Sequence, residues 1–139
     1  MYDPMVKAIV LHTWWSGFSR EDSVRVLAIR GRKTGRLYQH PVGVCSYLGE
    51  QYLVSFYGES QWARNMRAGT EAELRDRKTA QPIQGIELAG AEKVEFLRFL
   101  LDRYPVIIRV WWKLDAKRAT STDLKMLAGR YPVFRITAA

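Results

Sequence analysis

The sequence predicts an α+β fold, a small antiparallel barrel of about six strands with helices flanking it. Three observations carry this. Runs rich in β-branched and aromatic residues recur at hairpin spacing, glycine-bearing turns separate them, and the helical patterns fall between and after the strands instead of alternating with each one as in a parallel nucleotide-binding sheet. The 139 residues fit one domain, 1–139, divided into an N-terminal helix over 1–18, a barrel core over 24–88, and helices with a closing strand over 91–139. A composition that is 47% hydrophobic, with five tryptophans and seven tyrosines, supplies a core without metals or disulfides.

Asp3-Pro4 reads as an N-cap followed by proline at the first helical position, opening a helix to about Trp15 that Gly17 closes. Val24 to Ile29 is a strand apolar on both faces apart from Arg25. Tyr38 to Tyr47 forms a second strand, Leu48-Gly49-Glu50 a hairpin turn, and Tyr52 to Tyr57 a third. On that third strand Leu53, Ser55 and Tyr57 share one face, and Tyr52, Val54 and Phe56 the other. Ser60 caps a short helix through Arg67 that Gly69 ends, with Trp62, Asn65 and Met66 on one side. Glu71 to Arg75 and Ala80 to Leu88 form a charged hairpin around Asp76-Arg77-Lys78. Val94, Leu97, Leu101 and Tyr104 mark an amphipathic helix stopped by Pro105. Val106 to Trp112 fits helix or strand, because short apolar runs do not resolve by period. Ser121 to Ala128 is a helix ended by Gly129, and Tyr131 to Ile136 is extended.

A formal charge of +8 and a sequence pI near 9.9 imply affinity for anions. The cations recur singly or in pairs, without the basic block or the aromatic interleaving of a nucleic-acid platform, so nucleic acid is not expected as a partner. A lone Cys45 in a strand reads as a small buried hydrophobe in a reducing, cytoplasmic setting. The chain opens on Met1-Tyr2-Asp3-Pro4, without the basic and apolar run of a signal peptide, and its longest apolar stretch is too short to span a bilayer. No Gly-x-Ser-x-Gly elbow, Walker loop or helical His pair is present, and no metal site is expected. If the chain is an enzyme, its reactive atom belongs to a bound cofactor.

One turn is equipped to hold an anion. Gly31-Arg32-Lys33-Thr34-Gly35 joins the first two strands, with glycines that free the backbone and two cations beside a hydroxyl. The same composition also suits a solvated hairpin tip.

Two motifs in order decide between these readings. Val26 to Gly35 followed by Pro41-Val42, then Tyr57-Gly58 and Trp62-Ala63-Arg64-Asn65-Met66-Arg67-Ala68-Gly69, resemble the deazaflavin-dependent nitroreductase family, whose members use the cofactor F420. The resemblance is firm over Val24 to Leu88 and looser beyond, where Tyr131 to Ile136 is similar to the family's closing segment. It implies a split β-barrel related to FMN-binding barrels, with F420, or alternatively FMN, in a groove. It implies that Arg32, Lys33, Thr34, Gly35 and Arg36 meet the phosphate and glutamate tail. Pro41, Val42 and Gly43 would run along the deazaflavin, Ser55, Phe56 and Tyr57 would line the opposite wall, and Trp62 and Asn65 would close the pocket. Hydride would pass from reduced F420 to a small-molecule electron acceptor, a quinone, nitroaromatic or activated alkene, with Tyr57 as the candidate catalytic residue. The resemblance is also compatible with peripheral membrane association and a homodimer. Related members bind other flavins, haem or fatty acids, which gives a carrier as the alternative function. The chain departs from the pattern in carrying Tyr38 where many members have arginine, and in a shorter loop, Gly58 to Gln61, before Trp62.

Overall fold

A computed structural model describes residues 23–76 and 78–139; the helix expected over 1–18 and Arg77 lie outside them. Six strands close a barrel: β1 (Ser23–Arg30), β2 (Leu37–Tyr47), β3 (Glu50–Val54), β4 (Ala72–Arg75), β5 (Ala80–Glu87) and β6 (Val133–Ala138). Every pairing is antiparallel, in the order β1-β2-β3-β6-β5-β4 around the barrel. The helices are α1 (Gln61–Arg67), α2 (Gly90–Arg103), α3 (Pro105–Trp112) and α4 (Ser121–Arg130), with a single 3₁₀ turn at Ala116–Arg118. The antiparallel barrel with flanking helices is the fold that the sequence predicts.

Alternation along the strands creates two cores. Leu27 and Ile29 of β1, Val44 of β2, Leu53 of β3 and Phe134 of β6 point into the barrel and are fully buried. Cys45, Tyr52 and Val54, of the opposite parity, face a second core built with Phe96, Leu97 and Leu100 of α2 and Ile108 of α3. β2 and β3 are therefore covered on both faces. Leu48 and Gly49 both take positive φ (50° and 79°), the geometry of a two-residue hairpin turn whose twist matches its strands.

Helix α1 plugs one end of the barrel. Ser60 caps it by accepting from the Ala63 N–H, and Trp62 and Met66 turn inward, Trp62 packing 6.0 Å from the Phe134 ring. Gly85 of β5 is glycine because a Cβ there would sit 2.5 Å from Met66 Sδ.

Three expectations change. The third strand ends at Val54, three residues early, because the Ser55 hydroxyl donates to the Gly58 carbonyl at 2.5 Å and Gly58 takes φ 93°, which turns the chain out of the sheet. Ser55, Phe56 and Tyr57 thus form a tight turn and do not extend β3. Val106 to Trp112, open between two states by pattern, is helix α3, with Pro105 in its first turn. Gly129 does not end α4, which runs to Arg130 and stops where Tyr131, preceding Pro132, becomes extended. The helix opens on a capping box formed by Thr120 and Asp123.

Candidate functional site

β2 is longer than its partner β3. Its residues 44–47 pair with β3, whereas 37–43 pair only with β1 and leave the other edge open among the described residues. Pro41, Val42 and Gly43 lie on that edge, where a proline costs no ladder hydrogen bond. The Val42 side chain turns into the barrel core, so only its backbone is available at the edge.

At the start of this edge stands the Gly31 to Arg36 turn. The Gly31 N–H donates to the Arg36 carbonyl (2.8 Å) and the Gly35 N–H to the Gly31 carbonyl (3.0 Å), with Gly35 at φ 73°. Thr34 Oγ1 accepts from the Arg36 N–H at 3.2 Å. Tyr38 lies over the turn, and a Cβ at position 31 would come 2.9 Å from its ring, so any larger residue there would push the exposed tyrosine aside. The backbone donor expected of Gly35 is thus spent inside the turn. Lys33, Arg36 and the Thr34 side chain remain exposed.

Asn65 ties the turn to α1. Its buried Oδ1 accepts from both the backbone N–H (3.0 Å) and the guanidinium (2.9 Å) of Arg32, and that guanidinium also donates to Gln61 Oε1 (3.1 Å). Thr70 Oγ1 adds a bond to the Arg30 carbonyl at 2.7 Å. Arg32 is held by neutral acceptors, so its charge is oriented but not cancelled. Among the described residues, none of Arg30, Arg32, Lys33 and Arg36 takes part in an ion pair.

The residues expected to line the opposite wall belong to an aromatic cluster. The Tyr57 ring meets Trp111 of α3 edge-on at 4.9 Å and 83°. Phe56 turns away toward Trp112 (5.5 Å), which stacks on Tyr131 at 4.2 Å and donates its indole N–H to the Phe56 carbonyl at 3.0 Å. Ser55 is buried and commits its hydroxyl to Gly58 and Ser60. Trp62 belongs to the barrel core. The structure therefore ties the turn to Asn65 beside the Pro41 to Gly43 edge, sets Tyr57 against Trp111, and uses the side chains of Val42, Ser55, Phe56 and Trp62 in packing.

Gln61, Trp111, Trp112 and an ionic clamp behind α1 escape sequence reasoning. In the clamp, Arg67 grips Glu59 (2.6 Å) and Glu87 (2.7 Å), joining the turn that carries Tyr57 to α1 and β5. The hydrogen bonds to Glu87 and Glu59 raise the Arg67 pKa, and the bond from Arg67 holds Glu59 below the ordinary carboxylate range. Nearby Lys93 is buried, donates to the Ala128 carbonyl, and is pushed below the usual lysine range by burial. No sequence motif marks these partners, because they are 8 to 35 residues apart. Among the described residues no His, Cys, Asp and Glu group could hold a metal ion, and no helix is long and apolar enough to cross a membrane.

The fold has solved counterparts. An F420-H2 dependent reductase (FDR-A) is 20% identical, with a TM-score of 0.56 over 86% of this chain and 96% of its own. A domain-swapped dimer is 18% identical, also at 0.56, over 96% and 94%. Atu2129, of unknown function, from Agrobacterium tumefaciens, is 16% identical at 0.53, over 85% of this chain and 49% of its own. No curated protein is significantly similar in sequence. Residues 14–123, most of the chain, match the profile of the F420H(2)-dependent quinone reductase family. The chain belongs to that family, as an oxidoreductase whose cofactor is coenzyme F420.

Proposed function

We propose that this protein reduces a quinone-type acceptor, with the anionic tail of F420 at the Gly31 to Arg36 turn and its ring along the open edge of β2. The observation that carries this reading is the Arg32 to Asn65 brace, which fixes a turn whose cations make no ion pair among the described residues beside the edge of β2 that those residues leave unpaired. The donor set fits the cofactor. Lys33 and Arg36 are exposed and free to meet phosphate and carboxylates, Arg32 adds an oriented charge, and Thr34 a hydroxyl.

When bound, reduced F420 supplies the hydride. The protein binds the tail through Lys33 and Arg36, holds Arg32 through Asn65, and offers backbone from Pro41 to Gly43 along a flat ring. Tyr57 is exposed at the opposite wall, where its phenol can give a proton to the acceptor oxygen. Trp111, edge-on to Tyr57, extends that wall for a planar, electron-poor ring. Nitroaromatics share those features, activated alkenes share the electron-poor planar acceptor without the ring, and both belong in the same assay. The domain-swapped dimer among the structural counterparts supports a pairing of two copies of this chain.

Fluorescence titration with F420, run beside FMN, tests the site. Saturable F420 binding at micromolar concentration, weakened in Arg32→Ala and Lys33→Ala, is expected, together with quinone-dependent oxidation of reduced F420. Equal affinity in all three proteins removes the turn from the site. Tyr57→Phe is expected to lower kcat about a hundredfold with little change in F420 affinity.

A further inference from the structure

Beside the ionic clamp lies a cleft that the proposed reaction does not use. Its volume is about 440 Å³, and it is walled by Glu87 to Gly90, where β5 runs into α2, and by Ala128 and Gly129 near the end of α4. Lys93, in the first turn of α2, lines the same cleft, as helical side chains lean toward the N-terminus. Only 8% of this residue is exposed, and its amine donates to the Ala128 carbonyl. Lys93 is in no ion pair among the described residues.

These surroundings suit a neutral amine. A carbonyl accepts an N–H from either charge state of lysine, and a neutral nitrogen bonded in this way keeps its lone pair. Burial lowers the Lys93 pKa, Arg67 adds to the shift, and together they outweigh Glu87 and Glu59, which favour the ammonium. The free amine is therefore more abundant here than on the surface, where a lysine of pKa about 10.4 is neutral in roughly one molecule in 2,500 at pH 7. A desolvated lysine beside another cation, reached through a cleft, is chemically equipped as a nucleophile. Apart from Glu87 the walls carry no charged side chain, and they leave room for a small uncharged group.

We propose that Lys93 is a modification site, whose ε-amine is acylated by a small acyl phosphate that enters the cleft between α2 and the end of α4. The nitrogen lone pair attacks the acyl carbon and an N–C bond forms. The C–O bond to phosphate breaks, phosphate leaves with its electron pair, and the amine gives one proton to solvent. The amide product keeps an N–H for the Ala128 carbonyl, but the cation is gone. Glu59 and Glu87 are then balanced by Arg67 alone, apart from Arg64, which lies 3.7 Å from Glu59. Acylation thus acts on the clamp that joins the Tyr57 turn to α1 and β5. It does not depend on which acceptor the enzyme reduces.

Site-resolved mass spectrometry of the whole protein treated with acetyl phosphate tests this. At pH 7 Lys93 is expected to be acetylated at least about fivefold faster than the exposed Lys33, Lys117 and Lys125, and its lead should shrink toward pH 10, where the surface amines also lose their protons. Burial with the amine still charged would make Lys93 the slowest at pH 7, and that result overturns the proposal. A lead that does not change with pH overturns it as well. Gly129→Leu tests the cleft as the route. Gly129 is a helical residue, and a side chain there meets no atom within 4 Å, so the variant should fold. It is expected to slow Lys93 at least about threefold and to leave the other lysines at the wild-type rate. An unchanged Lys93 rate in the folded variant removes the cleft from the reaction and defeats the assignment.

Discussion

The two walls of the proposed groove are built by different physics. On the polar wall, one buried acceptor, Asn65 Oδ1, holds a turn 33 residues away through two hydrogen bonds. On the aromatic wall, Trp112 stacks on Tyr131 and meets Phe56 at a tilt, and its indole hydrogen bond to the Phe56 carbonyl spans 56 residues of sequence. Directional bonds fix position with little area, whereas stacked rings fix position by excluding water. A substitution on the first wall should damage binding more than folding, and one on the second should damage folding first.

The largest effect is expected at Trp112. Replacing it by alanine removes the Tyr131 stack, the Phe56 contact and the indole donor together, and should lower stability by about 3 kcal/mol in urea denaturation. Trp112→Phe keeps a ring but not the donor, and should cost about 1 kcal/mol. If the alanine variant unfolds at the wild-type urea midpoint, the aromatic wall is not held by packing and the contrast fails.

On the other wall, Asn65→Ala leaves the Arg32 N–H and guanidinium without their acceptor. The expected loss of stability is about 1–2 kcal/mol, accompanied by a fall of at least tenfold in F420 affinity. Asn65→Asp keeps an acceptor oxygen, so stability should recover, but the added negative charge beside the turn should keep F420 affinity low. An Asp variant that binds F420 as wild type does would show that Asn65 acts on Arg32 alone and that the turn's net charge does not matter.

Both walls also differ in how far the sequence discloses them. The glycine turn, the Pro41-Val42 edge and the Trp62 to Gly69 helix are contiguous motifs, and local chemistry explains each: turn glycines, an edge proline, a serine cap. The strands were legible from runs of β-branched and aromatic residues set off by turn glycines, and Leu27, Ala28 and Ile29 of the first run are all buried, as a strand apolar on both faces requires. The aromatic wall joins Ser55–Tyr57, α3 and Tyr131, which meet only after the helices pack. Even the state of Val106 to Trp112 was undecidable from a seven-residue apolar run. The early end of β3 escaped for a related reason. Tyr52 to Tyr57 alternates as a strand should, and the Ser55 hydroxyl that breaks it acts through Gly58, outside that pattern.

Lys33 isolates the electrostatic part of the polar wall, because it is exposed and touches none of the brace. Lys33→Ala should weaken F420 binding about tenfold at low salt, less at high salt, and leave stability within about 0.5 kcal/mol of wild type. A loss that is the same at both salt concentrations would mean that Lys33 shapes the turn and does not supply charge.

The smallest effect lies at the clamp that joins the walls. Glu59 follows the Tyr57 turn and pairs with Arg67 of the helix that carries Asn65, so it connects one wall to the other. Its pKa is lowered in the fold, first by the Arg67 hydrogen bond, against an opposing contribution from burial. The sign follows from linkage: the contribution is complete above the ordinary glutamate value and is lost as pH falls through the lowered folded one. The side chain is 39% exposed, so solvent screening limits the contribution to a few tenths of a kcal/mol. Glu59→Gln should therefore be slightly less stable than wild type at neutral pH, and the difference should close on acidification below the folded value and in high salt. If the gap stays constant from neutral to acidic pH, the clamp acts through shape and hydrogen bonding, and the charge of Glu59 has no part in holding the walls together.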